Sequence, residues 1–426
     1  MRSTSRAALL LLALAAAGCD RSPTGDDDGP RFRTPVEMAT LGLGEVPERT
    51  TSELWVHDGW GYTGTYGVRD GNAGNVVKVW RTTGTAPALV DSVLVPGAPA
   101  AALPAGADEG HGGHGGLGVG PSTISDVQVS DDGRLLVVST EGGPGSIVVY
   151  DRADPARPAL LSRFASESTA PGVHTAELAR VGGRLYAFLS VNPRSGIPAR
   201  LVIVDLADPR APREVWSGVM GRPYQHDVFV RDGILFTAEW DDGVGIWDVG
   251  GGGRGGSPAN PVRISRVETV GGNAHNLWWF HDPRNGSRRY LFVGEETSRD
   301  NHTAGDVHVV DVSDLAAPRE VAFYHLDEAG THNFSVDERR GILYAAFYEA
   351  GVRALDIRGD LGRCDAAARA PDGRCDLKAM GREAGRGLTA AARPVFVWGV
   401  HFTGGALYAS DMQNGLWKLD VGALGR

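Results

Sequence analysis

Apolar residues in this chain recur in short alternating runs rather than at helical spacing. GRLLVVST, GRLYAFLS, GILFTAEW, RYLFVGEE, GILYAAFY and GALYASDM share one pattern, and WGYTGTYG takes its place in the first unit. NVVKVW, SIVVYD, RLVIVD, GVGIWD, DVHVVD, GVRALD and GLWKLD share another, and six of those seven end in aspartate. Runs rich in Val, Ile, Tyr and Trp, punctuated by Gly, Asp and Pro, predict strands. Each pair follows a further run that begins at Ser52, Ser125, His174, His226, His275, His332 or Trp398. In several units a proline-bearing turn, as in DPARPALL, DPRAPREV and DLAAPREV, leads into a fourth strand. The chain is therefore expected to hold seven units of four strands, a repeat architecture.

Four-stranded units repeated about an axis predict an all-β, seven-bladed β-propeller. A stacked solenoid is the competing arrangement, and the ends decide between them. The seventh unit stops after its third run, GLWKLDV, whereas TPVEMATLGL near the start has the proline-led alternation of a fourth strand. Residues 33 to 44 are expected to complete the last blade beside Gly415 to Val421, closing the ring and removing an exposed edge. The propeller then spans 33–426.

LVIVDLADPRAP, residues 201–212, resembles the bacterial LVIVD-repeat propellers, and VHVVDVSDLAAP and IVVYDRADPARP are weaker copies. HDVFV, HNLWW, HNFSV and WGVHFTGGALYASDMQNGLW resemble the choice-of-anchor B group within them. The resemblance implies a surface or periplasmic propeller of a family whose members mostly lack an assigned activity.

The first residues are set apart from the fold. Arg2 and Arg6 precede ALLLLALAAAG, which ends at Cys19. A basic head, a short apolar core and small residues before a cysteine mark a lipoprotein signal, too short for a convincing membrane span. Residues 1–18 are read as the signal, Cys19 as the lipidated residue, and 19–32, polar and acidic, as a flexible tether. The expected location is extracytoplasmic, on a bacterial membrane facing the periplasm or the cell surface. Cys364 and Cys375 flank a Gly/Pro-containing loop, which in an oxidising compartment suggests a disulfide. The formal net charge is −10, or −12 once Arg2 and Arg6 are cleaved away, and no basic stripe appears. That argues against a nucleic-acid partner.

The repeated histidine carries the candidate chemistry. In a propeller the first strand of each blade lines the channel, so His174, His226, His275 and His332 would stand in register near one mouth. Neutral imidazoles there could hold one transition metal, iron, copper or zinc, on the axis. An all-histidine axial site resembles the iron centre of carotenoid oxygenases, and AEWDD and DVSDL are a fainter echo of the methanethiol oxidase group. Glu239 and Glu295, ending second strands, and Asp411 in the aligned place are expected to orient ligand histidines through their other N–H. The competing reading is structural: each histidine hydrogen-bonds within its own blade, and structural residues repeat with the unit. His111 and His114 in HGGHGGLGVG could bind metal loosely or belong to a plain insertion. The glycine run from Gly250 and TSRDNHTAG, residues 297–305, read as long mobile loops, and the tryptophans as blade core. No GxSxG, P-loop or HExxH motif occurs. Two functions remain: a lipid-anchored module that binds a protein, glycan or small molecule at its channel mouth, and a metal-dependent oxidoreductase.

Overall fold

Aspartate ends the third strand because the chain must turn sharply there. Asp151, Asp205, Asp311 and Asp420 each accept a hydrogen bond from the backbone N–H two residues on, at 2.7–3.0 Å. A carboxylate bonded two residues ahead is the side-chain mimic of a backbone turn. In the turns that follow, Asp154, Asp208 and Asp314 do the same for Ala156, Arg210 and Ala316. The repeating motif is thus a device for reversing the chain into the fourth strand.

The computed structural model of the protein describes residues 34–96, 123–297 and 305–425, apart from 143, 195, 328 and 390. Cys19, the signal and tether, and His111 and His114 lie outside the described residues. Seven antiparallel sheets account for the repeats. Their first strands are Thr50–His57, Thr123–Val129, Val173–Val181, Asp227–Arg231, Ala274–Trp279, Phe334–Asp337 and Val397–Thr403 in blades 1 to 7. Each lies against the first strand of the next blade, and that of blade 7 lies against that of blade 1. The ring is closed: this is a seven-bladed β-propeller.

Hydrophobic core fills the spaces between blades rather than one central volume. Phe236 and Ile246 of blade 4, for example, pack with Leu277, Leu291 and Val293 of blade 5, all buried. Each blade therefore needs its neighbours to bury its faces.

Closure uses the N-terminal segment, with one difference from expectation. Thr40–Glu45 pairs antiparallel with Gly415–Asp420 and completes blade 7. The residues just before it, Val36–Glu37, instead run parallel to Glu383–Gly387 and add a fifth strand to blade 6. Met38, 1% exposed, sits at the crossing and donates its N–H to the Arg386 carbonyl at 2.6 Å. Gly44 allows this closeness, since a Cβ there would lie 2.4 Å from the Trp80 ring of blade 1. One short segment thus touches three blades.

Cys364 and Cys375 form a disulfide. It staples an insertion between the third and fourth strands of blade 6. Cys375–Asp376 in turn pairs parallel with Arg319–Tyr324, so the insertion covers the outer edge of blade 5.

The glycine run from Gly250 is organised, contrary to the sequence expectation. Asp248 accepts hydrogen bonds from the backbone N–H of Gly250, Gly252, Arg254 and Gly256 at 2.7–3.1 Å. Gly250, Gly253 and Gly255 have positive φ, which lets successive N–H groups converge on one carboxylate. Burial opposes the Asp248 charge, but the four bonds outweigh it and pull its pKa down to about 2. A depressed carboxylate pKa contributes stability above the unfolded value, about 4, that is lost as pH falls through the folded one. Asp248→Asn is expected to cost about 1.5–3 kcal/mol, to speed amide exchange in 250–256, and to flatten the loss of melting temperature between pH 4 and pH 2. An unchanged acid limb would show that the carboxylate does not organise the loop.

Candidate functional site

The histidines reach the axis because the head of each first strand is irregular. In blades 3, 5 and 7 the register shifts so that His174, His275 and Trp398 are each left unpaired. A bulge of this kind re-aims one side chain. His226 immediately precedes its strand and His332 lies two residues before its own, and they donate their backbone N–H to the carbonyls of Ala238 and Ala346, 2.9 Å each.

The result is an arc of five rings from five consecutive blades. Successive centroids lie 4.3 Å apart from His174 to His226, 4.0 Å to His275, 4.2 Å to His332 and 3.9 Å to Trp398. The four histidines expected to gather do gather. In blades 1 and 2 the aligned residues are serines, whose hydroxyls bond the backbone of the next blade, Ser52 to Ile124 and Ser125 to Val173.

The acids that accompany the arc are not the expected ones. The Glu239 carboxylate accepts from the Thr237 hydroxyl at 2.8 Å and fills the space over Gly245 within its own blade. Glu295 accepts from His308 at 3.2 Å. Asp411 accepts from the Trp417 indole at 2.9 Å and the Asn414 amide at 2.6 Å. All three brace their blades, and none bonds a ring of the arc. Side chains along a strand alternate faces, so moving one position changes the surface addressed. At the position one residue further on stand Tyr66, Glu141, Trp240, Glu296 and Tyr348, and these face the mouth.

Their contacts make the point. Glu141 bonds His174 Nδ1 at 2.8 Å. Glu296 Oε2 lies 3.9 Å from His275 Nε2. Trp240 stacks on His226 at 5.3 Å, Tyr348 meets His332 edge-on at 5.3 Å, and Tyr66 lies 5.8 Å from Trp398. Two tryptophans expected in the core, Trp240 and Trp398, are thus walls of the mouth. Glu53 also approaches, with Oε1 3.7 Å from His332 Nδ1 and accepting from the Asn333 amide at 2.6 Å.

Burial sets the charge states. It holds His226 and His275 well below the ordinary imidazole value, with repulsion from neighbouring rings adding to it, and brings His332 down to about 3. These three imidazoles are neutral. His174 differs: burial opposes its charge, but the Glu141 carboxylate outweighs that and raises its pKa. Deeper in the channel, burial raises Asp126 to about 6, Asp227 to about 7 and Glu177 to about 8. These groups are half-buried carboxyls able to take up protons.

Trp240 and Tyr348 hold a further feature in common. Their φ values are 51° and 40°, in the left-handed region where bulky residues are outliers. Such strain costs about 1–3 kcal/mol per residue and clusters at functional sites.

No family model matches the chain, and no curated protein matches it. Among solved structures it is similar to the Saccharomyces cerevisiae protein Sqt1, with a TM-score of 0.53 and 9% identity over 89% of this chain and 84% of that one. Identity at that level speaks to fold alone, and function must be argued from the site. The likeness and the closed ring of seven sheets agree on one conclusion: the chain is a β-propeller.

Proposed function

We propose that the protein is a lipid-anchored, extracytoplasmic binding module that takes its ligand at the channel mouth ringed by Tyr66, Trp240, Tyr348 and Trp398. The observation that carries this reading is the backbone of Trp240 and Tyr348. Two bulky residues at equivalent positions keep a costly conformation that presents their rings beside the histidine arc. A concave site with aromatic walls and a few convergent polar groups is what a small ligand, or a narrow protruding part of a partner, requires. The anchor rests on the LAAAGC signal at Cys19, and the Cys364–Cys375 disulfide fits an oxidising compartment. The resemblance to LVIVD-repeat propellers points the same way. The oxidoreductase reading requires a metal, whose site is argued below.

Chelator-treated protein tested by thermal shift against fragment and oligosaccharide sets should yield ligands for the wild type. Trp240→Gly with Tyr348→Gly, which relieves the backbone strain while removing both rings, should lose those shifts yet still melt cooperatively. Ligands that shift both proteins equally, or none for either, would overturn the reading.

A further inference from the structure

We propose that His226, His275 and Glu296 form a binding site for one divalent first-row transition metal ion. Each offers a ligand atom, and these atoms all lie within 4.8 Å of one another. This narrows the four-histidine expectation to two histidines and a carboxylate. It goes beyond ligand capture at the mouth, because the ion would bind with no organic ligand present.

Two independent observations converge. The first is unpartnered nitrogen: both ring nitrogens of His275 and Nδ1 of His226 are buried without a hydrogen-bond partner. His275 is 1% exposed and His226 8%. Buried polar atoms are nearly always satisfied, so several orphans in one arc point to a missing partner, and an electron-pair acceptor suits imidazole nitrogen. The second is the support around the carboxylate. Tyr348 donates its hydroxyl to Glu296 Oε1 at 2.6 Å, which leaves Oε2 turned toward His275. Outer partners that orient a ligand in this way accompany metal sites.

The flanking histidines are differently engaged. His174 spends Nδ1 on Glu141, and His332 has Glu53 beside its Nδ1. They are walls of the site, and Tyr348 is a positioning residue. Ligand atoms bound at about 2.0–2.2 Å from an ion stand roughly 3–3.5 Å apart, so modest side-chain rotations close the present spacing. Two imidazoles and one carboxylate suit Zn²⁺ or Fe²⁺ and leave coordination positions open toward the mouth.

The test uses the full chain, stripped with chelator and titrated with Co²⁺, whose visible bands report coordination directly, and with Zn²⁺, read as a rise in melting temperature. One equivalent is expected. His226→Ala and His275→Ala should weaken binding at least about 100-fold, and Tyr348→Phe by about 10–100-fold. Glu296→Gln should also weaken binding and should change the Co²⁺ spectrum, whereas His111→Ala with His114→Ala should leave both unchanged. Should His275→Ala fail to fold, His275→Gln and the wild-type titration carry the same decision. Wild-type binding that survives His275→Gln and Glu296→Gln overturns the site. So does a wild type that shows neither Co²⁺ bands nor a Zn²⁺ shift at millimolar metal. Either result leaves the binding-module reading to stand on its own test, which uses chelated protein.

Discussion

Deleting residues 34–45 should abolish cooperative folding or lower the melting temperature by well over 10 °C. The deletion removes the outer strand of blade 7 and the added strand of blade 6 together. Burying Met38 contributes about 1.5–3 kcal/mol. Each of the lost ladder hydrogen bonds contributes about 0.5–1.5 kcal/mol, and the edge of Gly415–Asp420 would open to other chains. The total rivals the whole stability of an ordinary domain, about 5–15 kcal/mol. Because every blade buries its faces on its neighbours, the loss cannot stay local. Deleting 20–30, a stretch with no residue to bury beyond its two prolines, should leave melting unchanged. Circular dichroism melts of both truncations decide the matter, and equal behaviour would refute closure by this segment. Gly44→Val is a milder version, since its side chain would drive into Trp80.

His308→Ala should cost about 3–5 kcal/mol, the range for removing one partner from a buried ion pair. His308, fully buried, donates to Glu320 at 2.8 Å and to Glu295 at 3.2 Å. Arg374, from the disulfide-stapled insertion, pairs with the same Glu320 oxygen. Without the imidazolium, Glu320 would be left with Arg374 and the buried Glu295 carboxylate would lose its bond to His308. Burial opposes the charge on His308, but the Glu320 carboxylate and the bonds to both acids outweigh it and raise its pKa to about 10. The lowered pKa of Glu320 expresses the same interaction from its other end, so the two are not added. A raised histidine pKa contributes stability that is complete below the unfolded value, about 6.5, and is lost as pH rises through the folded one. The wild type should therefore lose melting temperature between pH 7 and pH 10, and His308→Gln should show a shallower decline. Parallel curves would mean that His308 is not charged in the folded protein.

Glu295 shows where reading a strand from its sequence stops. Its place at the end of a second strand was legible. Which way its carboxylate points was not, because a one-residue change of position sends a side chain to the opposite surface. The active neighbours, Glu296, Trp240, Tyr348 and Glu141, follow a strand end that sequence places only within a residue or two. Two of them adopt a positive φ that no aromatic residue signals in advance. The Gly250 run misled for a related reason. Glycine reads as mobility until a carboxylate such as Asp248 is found at its centre, and that carboxylate was already present as a strand-ending aspartate.

The sequence by itself determined the number of blades, the ring's closure by its own N-terminal segment, the disulfide pair, and the gathering of four histidines. The blade number, the closure and the histidines depend on periodicity and on residues that recur with it, and the disulfide on two cysteines flanking one loop. Alternating apolar runs specify strands, aspartate specifies the turn, and equivalent positions in a closed repeat must face the same axis. Tertiary structure alone decided which atoms meet. The orphaned nitrogens of His275, the Tyr348 bond to Glu296 and the division of Val36–Glu37 from Thr40–Glu45 between two blades arise from contacts between chain segments far apart in sequence. Such contacts are set by bulges and register shifts of a single residue. A repeat pattern averages over shifts of that size, whereas a coordination site or a buried ion pair is made or lost by them.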